Sequence, residues 1–178
     1  MTCNFEDEIL VIIPARNEAE TIREVVQRAK LYCDVCVIND ASTDDTARVL
    51  ADINDIHVIT HFAVTHIPGA VMDGMKYALD KGYHYGLTMD AGMSHNPDEI
   101  PRFFGKPGVD LLLGTRVQKM DTPLYRRILS GVGNLLYNAC LDSPSKFFKK
   151  PYFRDIPSGF RRYSRKAMRI LIESKIES

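Results

Sequence analysis

Residues 8–32, EILVIIPARNEAETIREVVQRAKLY, decide how the chain is read. The first eight form a nearly unbroken apolar run of strand length, the pattern of a strand covered on both faces. Ile22, Val25, Val26 and Ala29 then recur at helical spacing and lay one apolar stripe along a helix. A buried strand leading directly into an amphipathic helix is the opening of a strand-helix-strand unit in a parallel sheet.

The same unit repeats downstream. DVCVIND (34–40) is a second strand, and STDDTARVLADI follows with Ser42 as the expected N-cap and Asp45 three residues later, a capping-box pattern. IHVITH (56–61) is a weaker third strand, and GAVMDGMKYALDKG is a helix ending at Gly82. YGLTMD (85–90) is a fourth strand, NPDEIPRFF a short helix, VDLLLGTR (109–116) a fifth strand and PLYRRILSGVGNLLYNACL a longer helix. From about residue 142 the chain turns to Pro, Ser, aromatics and bases without a clean period. That texture predicts a loop segment over the sheet edge, followed by a helical pattern from 164. The expectation is an α/β fold in one domain over residues 1–178, with a mostly parallel, Rossmann-like sheet flanked by helices. The last helix, RILIESKIES, has no C-capping glycine or proline, which points to further helices downstream.

Composition limits the partners. Lys plus Arg and Asp plus Glu are each 23, so the formal charge is zero and no large positive field exists to hold nucleic acid. The N-terminus carries three acids and no basic segment, and no apolar run reaches membrane-spanning length. The expected location is cytoplasmic, at most peripheral on a membrane. Cys33 and Cys36 are three apart in a strand-like stretch, where side chains point to opposite faces, so they read as structural thiols.

An open parallel sheet binds ligands beyond the carboxyl ends of its strands. Those ends carry Pro14, Ala15, Arg16 and Glu18 after the first strand, Asp40 after the second, Asp90 after the fourth and Arg116 after the fifth. Neither a G-x-G-x-x-G nor a P-loop follows the first strand, so no dinucleotide or P-loop grip is available. Singly, each acid or arginine could be a turn residue or a solvated end; their shared edge gives them weight.

The blocks VIIPARNEAETI, VINDASTDDT, TMDAGMSHNPDEIPRF, LLLGTR, PLYRRILSGVGN and DIPSGFRRYSRKAM, spanning residues 9 to about 168 in order, resemble those of the inverting family 2 glycosyltransferases of GT-A fold. Within that family the dolichyl-phosphate mannose synthase and polyprenyl-phosphate glycosyltransferase branch is the nearest. The resemblance implies that Pro14, Ala15, Arg16 and Glu18 cradle the nucleoside of a nucleotide-diphosphate sugar, GDP-mannose or a UDP-sugar, with Asp40 touching base or ribose. It implies that Asp90 faces the donor diphosphate through a divalent cation, Mg²⁺ or Mn²⁺. Arg116, Arg126, Ser130 and Arg161 match positions near the diphosphate or an acceptor phosphate, where the guanidinium fork suits phosphate oxygens.

Two departures stand out. Gly92 occupies the place of the family's second metal-binding acid, and Ser94 offers a hydroxyl two residues on. His95 reads as a cap for the NPDEI helix. The THIPGAV loop keeps only Gly69 and Ala70 of the family's glycine-rich spelling.

A lipid-phosphate acceptor would be largely ionised near neutral pH, its second pKa being about 6, so no protein base would be required. A sugar hydroxyl would require one, for which Asp155 is the reserve. The chain has no tryptophan, and so lacks the Gln-x-x-Arg-Trp block of the polysaccharide builders. The basic and aromatic stretch KFFKKPYF beside Arg161 suits a phosphate headgroup at a membrane surface. Three alternatives carry forward: a non-catalytic nucleotide-sugar-binding module, a transferase to a sugar hydroxyl, and a nucleotidyltransferase. The last places its G-T-R loop after the first strand, whereas here GTR follows the fifth.

Overall fold

The computed structural model describes residues 9–114 and 159–176. The chain divides into two units, Met1–Leu112 with Phe160–Ser178, and Leu113–Gly159. Nearly all described residues belong to the first unit, and the fold below is that unit's.

Its strands are β1 (Ile9–Ala15), β2 (Asp34–Asp40), β3 (His57–His61), β4 (Tyr85–Thr88), β5 (Leu111–Leu113) and β6 (Arg161–Ser164). Helices α1 (Ile22–Ala29), α2 (Thr46–Ala51) and α3 (His66–Asp80) separate the first four strands, a 3-10 helix (Pro97–Phe103) follows β4, and α4 (Arg165–Ile176) follows β6. The strands lie in the order β3-β2-β1-β4-β6-β5. Strands β1 to β4 pair in parallel, and β6 runs antiparallel to β4 with Arg161 opposite Thr88.

The apolar run in β1 divides strictly by parity. Ile9, Val11 and Ile13 join Val35, Val37 and Leu87 in a core closed by α1, α2 and the 3-10 helix. Leu10 and Ile12 join Cys36 and Ile38 in a second core closed by Ala70, Met75 and Ala78 of α3 and Met168 of α4. Alternate side chains of an extended strand point to opposite faces, so a strand sandwiched between helix layers must be apolar at every position. Gly74 lets α3 lie close on the sheet: a Cβ there would stand 2.4 Å from Ile12 Cγ2. Cys36 is buried, and burial pushes its thiol up to about 12, which leaves it an inert core group.

The structure changes the sequence reading in three places. The second helix begins at Thr46, with Asp45 rather than Ser42 at its N-cap and no side-chain cap bond. The NPDEIPRF segment forms a 3-10 helix, as Pro101 inside it removes a backbone donor. Residues 161–164, expected as the end of a loop, form strand β6 between β4 and β5. Its centre is the wholly buried Arg162, which donates to the carbonyls of Phe103 and Lys106, each at 2.6 Å, with its guanidinium 4.3 Å from the Tyr85 ring centroid. Two carbonyls and an aromatic face compensate the buried charge and tie the chain after the 3-10 helix to the sheet. The fifth strand's continuation through Arg116 and the helix expected over 123–141 lie outside the described residues.

Candidate active site

In the order β3-β2-β1-β4, the chain leaves β1 in one direction to build β2 and β3 and crosses back to build β4 on the other side. A crevice opens where those directions diverge, at the carboxyl ends of β1 and β4. A cavity of about 480 Å³ lies there. Pro14, Ala15, Arg16 and Glu18 line it from the end of β1, Asp40 from β2, and Asp90, Ala91, Gly92 and Ser94 from the loop after β4. His66, Ile67 and Ala70 at the start of α3 complete it. Arg161 sits at the same edge of the sheet, opposite Thr88, and is not among the lining residues. Arg116, Arg126, Ser130 and the reserve base Asp155 lie outside the described residues.

These loops are held in uncommon backbone conformations. Asn17, Ala41, His66 and Met93 all have φ between 51° and 60°; Asn17, Ala41 and Met93 lie in the loops after β1, β2 and β4, and His66 opens α3. Left-handed backbone at a residue other than glycine costs free energy and persists only where neighbouring bonds enforce it. The enforcing bonds are visible. Asn17 N–H donates to Ser42 Oγ at 3.1 Å, and Asn17 Oδ1 accepts from Thr43 N–H at 2.8 Å. Glu18 N–H donates to Thr46 Oγ1 at 2.8 Å, and Ala19 N–H to Asp44 Oδ2 at 3.2 Å. Thr46 is fully buried, and its hydroxyl also bonds Asp44, whose carboxyl is held below its ordinary range chiefly by that bond. The STDDT segment therefore lashes the β1 loop in place, which is why Ser42 does not cap α2.

Asp40 is 3% exposed, and its Oδ1 accepts from the Thr65 amide and hydroxyl and lies against His61 Nδ1, each at 2.8 Å. Burial alone would raise its pKa. The bonds from His61, Thr65 and the His66 amide outweigh burial and hold it down at about 2. Asp40 thus anchors the first turn of α3 from the neighbouring strand, a duty the sequence did not reveal.

Asp90 is half exposed, and its Oδ2 accepts from Ser94 Oγ at 2.8 Å. His95 does not cap the next helix. Asn96 does that, its side chain accepting from Asp98 N–H at 3.2 Å. The His95 ring is buried, stacked 5.1 Å from Phe160, and its Nδ1 accepts the Asp90 amide at 3.1 Å. An accepting Nδ1 carries no proton, so the ring is the neutral Nε2–H tautomer. It also lies 3.6 Å from Asp90 Oδ2, too far for a hydrogen bond, and acts on Asp90 through the backbone.

Glu18 presents its carboxylate to the same space. Its Oε2 accepts from Thr21 Oγ1 at 3.0 Å. A Cβ built on Gly92 would stand 3.4 Å from Oε2 and 3.5 Å from Oε1. Among the described residues no group of three His, Cys, Asp or Glu side chains converges. A Mg²⁺ or Mn²⁺ shared with a bound diphosphate needs only one or two carboxylates, and the cavity's oxygen donors fit that requirement.

A sequence model described as glycosyl transferase family 2 matches residues 10–171. The chain belongs to glycosyl transferase family 2. It is 30% identical to the polyprenol monophosphomannose synthase of Mycolicibacterium smegmatis, over 95% of this chain and 66% of that protein. It is 29% identical to the undecaprenyl-phosphate mannosyltransferase of Micrococcus luteus, over 96% and 72%. A UDP-N-acetylglucosamine–dolichyl-phosphate N-acetylglucosaminyltransferase of Methanococcus voltae is 25% identical over 93% and 72%. The chain thus spans about two thirds of the length of these relatives. Among solved structures, S. aureus TarS residues 1–349 superimposes with a TM-score of 0.56 at 18% identity, covering 95% of this chain and 49% of that one. The family 2 chain therefore has the GT-A fold, a sheet flanked by helices with its crevice at the strand ends.

Proposed function

We propose that this family 2 chain transfers a sugar, with inversion, from a nucleotide-diphosphate sugar to a polyprenyl or dolichyl phosphate. The observation that carries the proposal is the convergence of Pro14, Ala15, Arg16, Glu18, Asp40 and Asp90 on one cavity at the strand-order switch. A volume of about 480 Å³ suits a nucleotide sugar. Three relatives named for transfer to prenyl phosphates support the acceptor class.

In this reading the β1 segment from Pro14 to Glu18 holds the nucleoside and Asp90 faces the diphosphate. Negative charge grows on the departing nucleoside diphosphate as the acceptor oxygen attacks the anomeric carbon from the opposite side. A divalent cation held at Asp90 would supply electrostatic stabilisation of that charge. Arg116, Arg126, Ser130 and Arg161 are proposed to serve the diphosphate or the acceptor phosphate. An ionised lipid phosphate attacks without a protein base.

The segment that brings His66, Ile67 and Ala70 to the cavity supports a lipid acceptor at a membrane surface. Residues 61–72 contain no Asp, Glu, Lys or Arg, and within them Phe62 is fully exposed and Ile67 is 69% exposed. Among the described residues no helix is long and apolar enough to cross a membrane. The proposed location is cytoplasmic and peripheral to the membrane, the peripheral part resting on the exposed Phe62 and Ile67.

The test is a thermal-shift screen of GDP- and UDP-sugars with and without Mn²⁺, followed by product analysis with undecaprenyl phosphate for the donor that binds. A stabilising donor and a glycosylated lipid are expected, as ligand binding raises the unfolding temperature by mass action. Stabilisation with no glycolipid, even with sugar hydroxyl acceptors, would identify a binding module instead.

A further inference from the structure

We infer that Glu18 takes the place of the missing acid at position 92, so that the divalent cation is held between the β1 loop and the β4 loop, by Glu18 and Asp90 together. The inference rests on the transferase reading of this cavity and adds to it a ligand from a different loop.

The geometry is specific. Position 92 has no side chain, and the space its Cβ would enter is bordered by both oxygens of Glu18, at 3.4 and 3.5 Å. The carboxyl oxygens of an aspartate reach only about one further C–C and C–O bond beyond Cβ. A carboxylate from Glu18 therefore borders the space that an aspartate side chain at 92 would enter.

Both carboxylates are prepared alike. Asp90 Oδ2 is held by the Ser94 hydroxyl, and Glu18 Oε2 by the Thr21 hydroxyl. Among the described residues Asp90 Oδ1 and Glu18 Oε1 make no hydrogen bond, which leaves one oxygen of each acid available in the same cavity. One fixed and one available oxygen on each of two carboxylates is an arrangement suited to Mg²⁺ or Mn²⁺, with diphosphate oxygens and water completing an octahedron. The Glu18 backbone is itself fixed, its N–H donating to the buried Thr46 and its carbonyl accepting from Thr21 and Ile22. The side chain is therefore delivered by a rigid loop.

The test is calorimetry of GDP and of UDP binding in Mn²⁺ and in EDTA, for the wild type, Glu18→Gln, Glu18→Gln with Gly92→Asp, and Asp90→Asn, with circular dichroism to check that each is folded. The wild type should bind one nucleotide more tightly in Mn²⁺ than in EDTA. Glu18→Gln should lose about tenfold or more of that metal-dependent gain, read as the ratio of its affinity in Mn²⁺ to its own affinity in EDTA, since ligand charge sets cation affinity. Adding Gly92→Asp should restore most of the loss. A Glu18→Gln protein with the full metal-dependent gain, or a double variant no better than the single one, overturns the inference. Equal wild-type affinity in Mn²⁺ and EDTA overturns the cation site while leaving the transferase reading standing. Failure to bind either nucleotide overturns both.

Discussion

His95 shows how a single ring can set the direction of an acid it does not touch through its side chain. Its Nδ1 accepts the Asp90 amide, and its face stacks on Phe160, which in turn packs 4.5 Å from Phe103. Replacing His95 by Leu should leave the Asp90 N–H buried without an acceptor and destabilise the fold by about 1–3 kcal/mol. Asn at 95, which keeps an acceptor near the Nδ1 position, should recover part of that loss; urea denaturation of both variants checks it. A lone histidine before a proline-containing turn reads as a cap in the sequence. Its true duty depends on Phe160, which is 65 residues away, and no local pattern reports that. Gly92 was legible as a departure, yet the carboxylate beside it arrives from another strand.

At the scale of elements, the β1 and β4 signals were plain because buried parallel strands advertise themselves as apolar runs. The third helix was equally legible. Strand β6 was not, since GFRRYS carries two arginines and its burial is satisfied by the Phe103 and Lys106 carbonyls. Asp40 was visible as a strand-end acid, while its hold on α3 came only with the fold. That hold makes a pH prediction. The folded pKa of Asp40 is depressed from 3.8 to about 2, so its contribution is fully present above the unfolded value and disappears as pH falls through about 2. The contribution is on the order of 2 kcal/mol near neutral pH. Wild type should therefore exceed Asp40→Asn in urea-derived stability by roughly that amount at pH 7, with the gap closing between pH 4 and pH 2. The lashing of the β1 loop makes a second prediction. Thr46→Val keeps shape but orphans the Glu18 N–H, and should cost about 1–2 kcal/mol in denaturant stability. It should also weaken nucleotide affinity, because the loop that presents Glu18 loses its anchor.

Across the whole unit, the strand order explains why residues far apart in the chain meet. Strand alternation in the sequence implied a parallel sheet, and that implied the edge on which Pro14, Glu18, Asp40 and Asp90 gather. The order of the strands, and hence the crevice between the ends of β1 and β4, required the coordinates. The proposed roles of Arg116, Arg126 and Ser130 fall on residues outside those described, and they rest on family resemblance. The central claim is that this crevice drives sugar transfer through Asp90. It is tested most directly by following labelled sugar from GDP-mannose and from UDP-N-acetylglucosamine into undecaprenyl phosphate, with wild type and Asp90→Asn side by side. Glycolipid should form with the wild type from one of these donors, with a loss of about 10²-fold or more in the variant at unchanged melting temperature. Equal rates for the two proteins would contradict it.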